Sequence, residues 1–330
     1  MKINISILFY SIIILSGVIF TSNIIKAENI EVDDAIPKYK KTSGISGNLS
    51  SIGSDSMNNL LTLWLEGFQK FYPNVRIQIE GKGSSTAPPA LISGTAQLGP
   101  MSRPMKKEEI DKFEKKFGYK PTEIRVAIDA LAIYVNKDNP LESISIDKVD
   151  AIFSKTRRGG FRSNISKWGE LGLKGDYWSN RPISIYGRNS ASGTYGFFKE
   201  HALFKGDFKD NVKEQPGSAS VVQGISYDKY AIGYSGIGYR TSGVKTLPIS
   251  KRYNSELEEP SYQNVLKGKY PLSRFMFIYI NKAPNKTLDP LVKEFLSFIL
   301  SNEGQSIVVK DGFLPMTAKI IYDEINKKIN

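Results

Sequence analysis

A chain of 330 residues, 40% apolar and 24% charged, is long enough for two compact units and too apolar to be wholly disordered. It has no cysteine and one histidine, His201, which excludes thiolate chemistry, disulfides and a multi-histidine metal centre. The formal net charge of +12 is spread among acids, as in Lys106-Lys107-Glu108-Glu109, and no Lys/Arg block with interleaved aromatics builds a nucleic-acid groove. Hydroxyls, carboxylates, guanidinium groups and backbone remain, which is the repertoire of a binding site more than of a hydrolase.

Met1-Lys2, the apolar run Ile3–Phe20 and the small residue Ala27 have the layout of a secretory signal peptide cleaved after Ala27; an uncleaved anchor is the alternative. Residues 28–46 read as a flexible lead-in. A short strand is expected over Asn48–Ile52, ending in Gly53-Ser54-Asp55-Ser56. Met57, Leu60, Leu61, Trp64, Phe68 and Phe71 then recur at helical spacing until Pro73. Val75, Ile77 and Ile79 alternate as in a half-buried strand, which runs into Gly83-Ser84-Ser85-Thr86. A short helix at Ala90–Ser93, a strand at Gln97–Gly99 and a charged amphipathic helix at Lys106–Phe117 follow. Arg125–Asn136 is a long apolar extended run with Asp129 at its middle.

The second half repeats this grammar. A helix is expected at Ile146–Phe153, a strand at Ile183–Tyr186, and a helix from Thr194 towards Phe204. Ser218–Ser226 reads as a helix, Ala231–Tyr234 as a strand and Phe275–Ile280 as another extended run. Asp289-Pro290 supplies an N-cap and first-turn pair for a helix to Leu300. Strand–turn–helix units in series predict an α/β protein. If Arg125–Asn136 and Arg274–Asn281 are the passages between two lobes, residues 28–129 and 274–330 form the first and 130–273 the second.

Three hydroxyl-rich turns fall where a strand meets a helix: Gly53–Ser56, Gly83–Thr86 and Ser192-Gly193-Thr194, with Arg103 and Arg188 nearby. Free N–H groups at a helix start, hydroxyl donors and glycines that permit close approach make each turn an anion cradle in outline. Any one of them alone reads more readily as a simple helix cap; three in one chain, with two arginines adjacent, favour the cradle. Neither a nucleophile-elbow nor a Walker pattern is present, and Gly81–Thr86 lacks the third glycine of a dinucleotide fingerprint. Tyr227, Tyr230, Tyr234 and Tyr239 read as packing residues, or as a wall between lobes. His201, seven residues after Thr194, points away from that turn.

These segments resemble the PstS-like phosphate-binding subunits of bacterial phosphate ABC transporters. The likeness runs through GSDSMNNL from Gly53, EGKGSSTAPPAL from Glu80, LGPMSRPMK from Leu98 and YGRNSASGTYGFF from Tyr186. DAIFSKTRRGG from Asp150, KWGEL from Lys167 and FLSFILSNEGQSIVVKDGFLP from Phe295 extend it over most of 47–316. The resemblance implies a two-lobed α/β periplasmic-binding-protein fold of type II, with two hinge crossover strands and a ligand cleft between the lobes. It also implies an exported, periplasmic, non-enzymatic monomer that takes no cofactor, metal or nucleic acid, and that delivers inorganic phosphate to a membrane permease. Carried over by position, the implied ligand set is Asp55, Ser56, Ser84, Arg103, Arg188, Ser192, Gly193 and Thr194, with Ser54, Ser85 and Ser102 as neighbours. Two positions that are acidic in some members are Arg103 and Ser190 here, which leaves open which group accepts the phosphate proton. Asp55 is the acid within the recognised turns, either in that role or as an N-cap. The alternatives are a phosphate-ester hydrolase using Ser56 or Ser192, and an adhesin or scaffold that retains the fold.

Overall fold

The computed structural model describes residues 30–252 and 254–329. The signal-peptide segment 1–27 lies outside them. The chain opens with β1 (Gly47–Gly53), a 3-10 turn at Asp55–Met57 and α1 (Asn58–Gln69), then β2 (Val75–Gly81), which pairs parallel to β1. A second 3-10 turn at Ser84–Thr86 leads into α2 (Ala87–Ser93) and β3 (Gly99–Met101). The expected strand at Gln97–Gly99 therefore begins two residues later. Gln97 and Leu98 both donate their N–H to Ser50 O, so they fasten the chain to β1 before β3 joins another sheet.

After α3 (Lys107–Phe117), β4 (Thr122–Asn136) is a 15-residue strand, buried at every position from Val126 onward. A strand covered on both faces has no polar side to present, hence an apolar run interrupted by Asp129 before it ends at Asn136. The chain continues through β5 (Ile144–Ser145), α4 (Ile146–Phe153), β6 (Ser184–Arg188) and α5 (Gly193–His201). Helix α5 stops before the expected Phe204 because Phe204 and Lys205 take positive φ values of 51° and 63°. Next come β7 (Lys213–Gln215), α6 (Ser218–Tyr227), β8 (Ala231–Gly236), β9 (Val244–Leu247), β10 (Ile249–Ser250), β11 (Leu257–Glu258) and α7 (Tyr262–Leu266). The chain ends with β12 (Ser273–Ile280), α8 (Pro290–Ile299), α9 (Asn302–Lys310) and α10 (Ala318–Glu324).

The largest sheet has the order β3-β12-β4-β8-β6-β7, with β9 also on β4. The long strand β4 changes partners along its length. Thr122–Ala130 pairs antiparallel with β12, whereas Leu131–Asn136 pairs with β8 and β9. The sides carry separate aromatic nuclei. Phe68 of α1 meets Phe295 and Phe298 of α8 at ring-centroid distances of 5.2 and 5.6 Å. On the other side Phe198 stacks on Tyr234 at 3.8 Å and Phe153 abuts both. Among the described residues no helix is long and apolar enough to cross a membrane.

Candidate functional site

The turns after β1, β2 and β3 are tied to one another by backbone. Ser54 N–H donates to Pro100 O at 2.8 Å and Gly83 N–H to Gly53 O at 2.7 Å. Gly53 has to be glycine, because a Cβ there would sit 2.1 Å from Pro100 O. The result is a rigid ledge on which Ser56, Ser84 and Ser102 are all buried. Ser84 Oγ accepts the N–H of Ser102 at 3.0 Å and lies 3.3 Å from Ser102 Oγ.

Facing this ledge are the helix starts after β6 and β7. Ser192 caps α5, its Oγ accepting from the N–H groups of Thr194 and Tyr195 at 3.1 and 3.4 Å. This is the capping role that a serine before a helix suggests, and it leaves the Ser192 hydroxyl proton available to donate. Gly193 packs against Ser84 and Ser102 of the ledge. Thr194 Oγ1 lies 2.9 Å from Ser56 Oγ, which lies 3.1 Å from Ser218 Oγ at the start of α6. A row of hydroxyls thus joins three segments far apart in sequence.

Arg188, at the end of β6, is 1% exposed. Its Nη1 donates to Ser218 Oγ at 2.6 Å and to Ser56 Oγ at 3.4 Å, and its Nη2 donates to Pro216 O at 2.8 Å. Nη2 also lies 3.2 Å from Asp55 Oδ2. Burial pushes the guanidinium pKa down, and the Asp55 charge opposes that shift. Arg188 Nε is buried with no acceptor among the described residues, so one strong donor is left over for an anion.

Asp55 is not the N-cap of the turn it opens; that position is Ser54. Its Oδ2 instead accepts the N–H of Ser218 at 2.9 Å, placing a carboxylate at the positive end of α6. Tyr239 donates its hydroxyl to Ser56 O at 3.0 Å, and burial, followed by the Asp55 charge, keeps that phenol protonated far above neutral pH. Of the four tyrosines singled out, Tyr234 also serves this region, its hydroxyl accepting the Arg188 N–H at 3.2 Å. Tyr230 packs on Trp178 instead, and Tyr227 is 83% exposed. His201 lies against the Phe197 ring at 4.3 Å.

Arg103 stands apart from the hydroxyl row. Its Nη1 and Nη2 form a two-pronged pair with Glu109 at 2.8 and 2.7 Å, and Nη1 also donates to Pro104 O. Glu109 is itself held by the N–H of Lys106 at 2.8 Å at the start of α3. Two residues outside the expected set join the row instead. Ser218 arrives on the turn Pro216-Gly217-Ser218, which has the same strand–turn–helix form as the recognised turns. Arg274, on β12, donates from Nη2 to Thr194 Oγ1 at 3.0 Å. Its signal in the sequence was a lone cation heading an apolar strand, opposite an equally lone Asp129.

Buried hydroxyls, two guanidinium groups and helix starts from both sides of the sheet converge here, and such a set suits a compact oxyanion. The profile of the PBP superfamily domain matches residues 40–303. The chain is 58% identical over 289 residues to the phosphate-binding protein PstS of Pseudomonas aeruginosa, covering 88% of this chain and 89% of that one. The chain belongs to the PstS family of the PBP superfamily. Protein SphX of Synechococcus elongatus is 31% identical over 271 residues, 81% of this chain and 77% of its own. Among solved structures, a phosphate ABC transporter substrate-binding protein of Clostridium perfringens with bound phosphate superposes with a TM-score of 0.70 at 28% identity, covering 82% of this chain and all of that one. The fold is accordingly the two-lobed α/β fold of these binding proteins.

Proposed function

We propose that this chain is an exported, non-enzymatic solute-binding protein that captures inorganic phosphate between its lobes and hands it to the permease of an ABC transporter. Arg188 carries the reading: a fully buried cation, with one N–H left over, joined to hydroxyls from both sides of the molecule. The ligand set is Ser56, Ser84, Arg188, Ser192, Gly193 and Thr194, with Ser218 added, Asp55 beside Arg188, and Arg103 moved to a supporting position on Glu109. Signal-peptide cleavage after Ala27 and a periplasmic, monomeric carrier complete the proposal. A hydrolase is the weaker reading. Ser56 Oγ is surrounded by two hydroxyls and a guanidinium, and Ser192 Oγ accepts two backbone N–H groups. Neither environment takes up a proton, as activation of a nucleophile requires. Titration calorimetry with phosphate, sulfate and molybdate tests the proposal; binding of phosphate alone is expected, and no phosphate binding refutes it.

The partner change along β4 supports crossings between lobes near residues 129–130 and 273–274, with 28–129 plus 274–330 as one lobe and 130–273 as the other. Closure about these strands predicts that saturating phosphate raises the melting temperature and reduces the radius of gyration. Scattering curves that superimpose with and without phosphate would count against closure.

Asp55 is the proposed acceptor for the phosphate proton. A carboxylate accepts that hydrogen bond, but faces a sulfate oxygen only with repulsion. In Asp55→Asn the amide oxygen still receives the Ser218 N–H, while the negative charge is gone. Weaker phosphate binding together with measurable sulfate binding is expected. Competition titration decides the matter, and rejection of sulfate as complete as in the unaltered protein assigns the acceptor to another group.

A further inference from the structure

Arg274 occupies a different kind of place from Arg188. It faces Asp129 directly across the antiparallel register of β12 and β4. Nε and Nη2 both donate to Asp129 Oδ2, at 3.0 and 2.8 Å, and Nη1 donates to Ser102 O at 3.0 Å. Asp129 is fixed in turn, its Oδ1 accepting the N–H of Ile237 at 3.2 Å. The guanidinium lies over the Phe197 ring at 5.3 Å, and the Arg274 and Asp129 side chains are 2% and 0% exposed. Held by strand, carboxylate, carbonyl and ring, it has little freedom to turn. From this fixed position Nη2 reaches Thr194 Oγ1 at 3.0 Å.

That contact restricts the direction of a proton. A guanidinium only donates, so Thr194 Oγ1 accepts from Arg274 and its single hydroxyl proton has to point elsewhere. The other partner of Thr194 Oγ1 is Ser56 Oγ, in the heart of the hydroxyl row. We infer that Arg274, locked by Asp129, is a positioning residue that occupies one acceptor position of Thr194 Oγ1 and so turns the hydroxyl proton of Thr194 towards the bound oxyanion. This corner of the site then selects an unprotonated oxygen and turns the protonated one towards Asp55. The inference rests on the phosphate-binding reading above. Arg274 acts through Thr194 and need not touch the anion.

A mutant cycle read by phosphate titration calorimetry tests it, using the unaltered chain, Thr194→Val, the paired exchange Asp129→Asn with Arg274→Gln, and all three changes together. The paired exchange removes both charges at once, so no buried charge is left without its partner. Thr194→Val and the paired exchange should each weaken phosphate at least about tenfold, the scale of a hydrogen bond involving a charged group. In the Thr194→Val background the paired exchange should add less than about threefold, because the two act through one contact. A full penalty in that background, or none in the unaltered one, overturns the inference. A defect in folding alone would lower the melting temperature without this coupling. Should the paired exchange fail to fold, Arg274→Lys enters the same cycle, since one ammonium cannot span Asp129, Ser102 and Thr194 as the planar fork does. Absence of phosphate binding by the unaltered chain refutes the underlying reading instead, and shows before any variant is made.

Discussion

Arg188→Ala should leave the protein folded and weaken phosphate binding by about 2–4 kcal/mol, between roughly thirtyfold and a thousandfold. The magnitude follows from desolvation. Arg188 is stripped of water in the arrangement seen here, which is why its pKa is pushed down, so its attraction for an anion enclosed beside it is little screened. Truncation removes that charge and leaves Asp55 facing the anion with its cation gone, so an attraction becomes a repulsion. The fold should survive, because the aromatic stack of Phe153, Phe198 and Tyr234 beneath β6 does not depend on the guanidinium. Calorimetry alongside thermal melting separates the two effects. A variant that melts normally and binds phosphate within threefold of the unaltered protein removes Arg188 from the site.

The contrast between Arg188 and Arg103 shows what sequence proximity can and cannot convey. Both arginines sit beside a serine turn, and both were reasonable ligands on that ground. Arg103, however, has Glu109 six residues on, and α3 presents that carboxylate with both oxygens aligned to the fork. Only the helix start, which holds Glu109 through the Lys106 N–H, explains why Arg103 is taken up locally. Arg188 has no comparable neighbour in sequence. Its partners, Asp55, Ser56 and Ser218, come from segments 30 or more residues away.

Elements with local signals were the most legible. The spacing of Leu60, Leu61, Trp64 and Phe68 gives α1, and Asp289 caps α8 through the N–H groups of Leu291 and Val292. The extended run around Asp129 is one continuous strand, as expected. Short strands such as β7 and β10 were not visible, since three or two residues carry no periodicity and exist only through their pairing. Arg274 and Ser218 escaped for the same reason. The first enters the site through the cross-strand register with Asp129, and the second through the close approach of α6 to Asp55. Both relations are fixed by tertiary pairing rather than by spacing along the chain.

Gly193→Ala should be as damaging as the loss of Arg188, by steric means. A Cβ at residue 193 would stand 2.2 Å from Ser84 Oγ, 2.6 Å from Ser102 Oγ and 2.8 Å from Ser84 Cβ. The hydroxyls can be turned aside only at the expense of their hydrogen bonds, and Ser84 Cβ has nowhere to go, because the ledge is held by backbone bonds from Ser54 N–H to Pro100 O and from Gly83 N–H to Gly53 O. Residue 193 begins a helix on one side of the site while Ser84 and Ser102 belong to the other, so separation of the two sides relieves the clash. An overpacking penalty of about 3 kcal/mol on the closed arrangement lowers its population about a hundredfold, and apparent phosphate affinity falls by the same factor. The unliganded protein should melt near its normal temperature, since the open arrangement carries no clash, and the rise in Tm on adding phosphate should shrink. Gly196→Ala is the control on the same helix. Its Cβ meets the Arg103 side chain at 3.3 Å from Cδ and 3.6 Å from Nε, contacts that a shift of a few tenths of an ångström relieves, so binding should stay near normal. If Gly193→Ala also binds phosphate normally, Ser84 and Ser102 yield in place and the close fit of this glycine is not what governs closure.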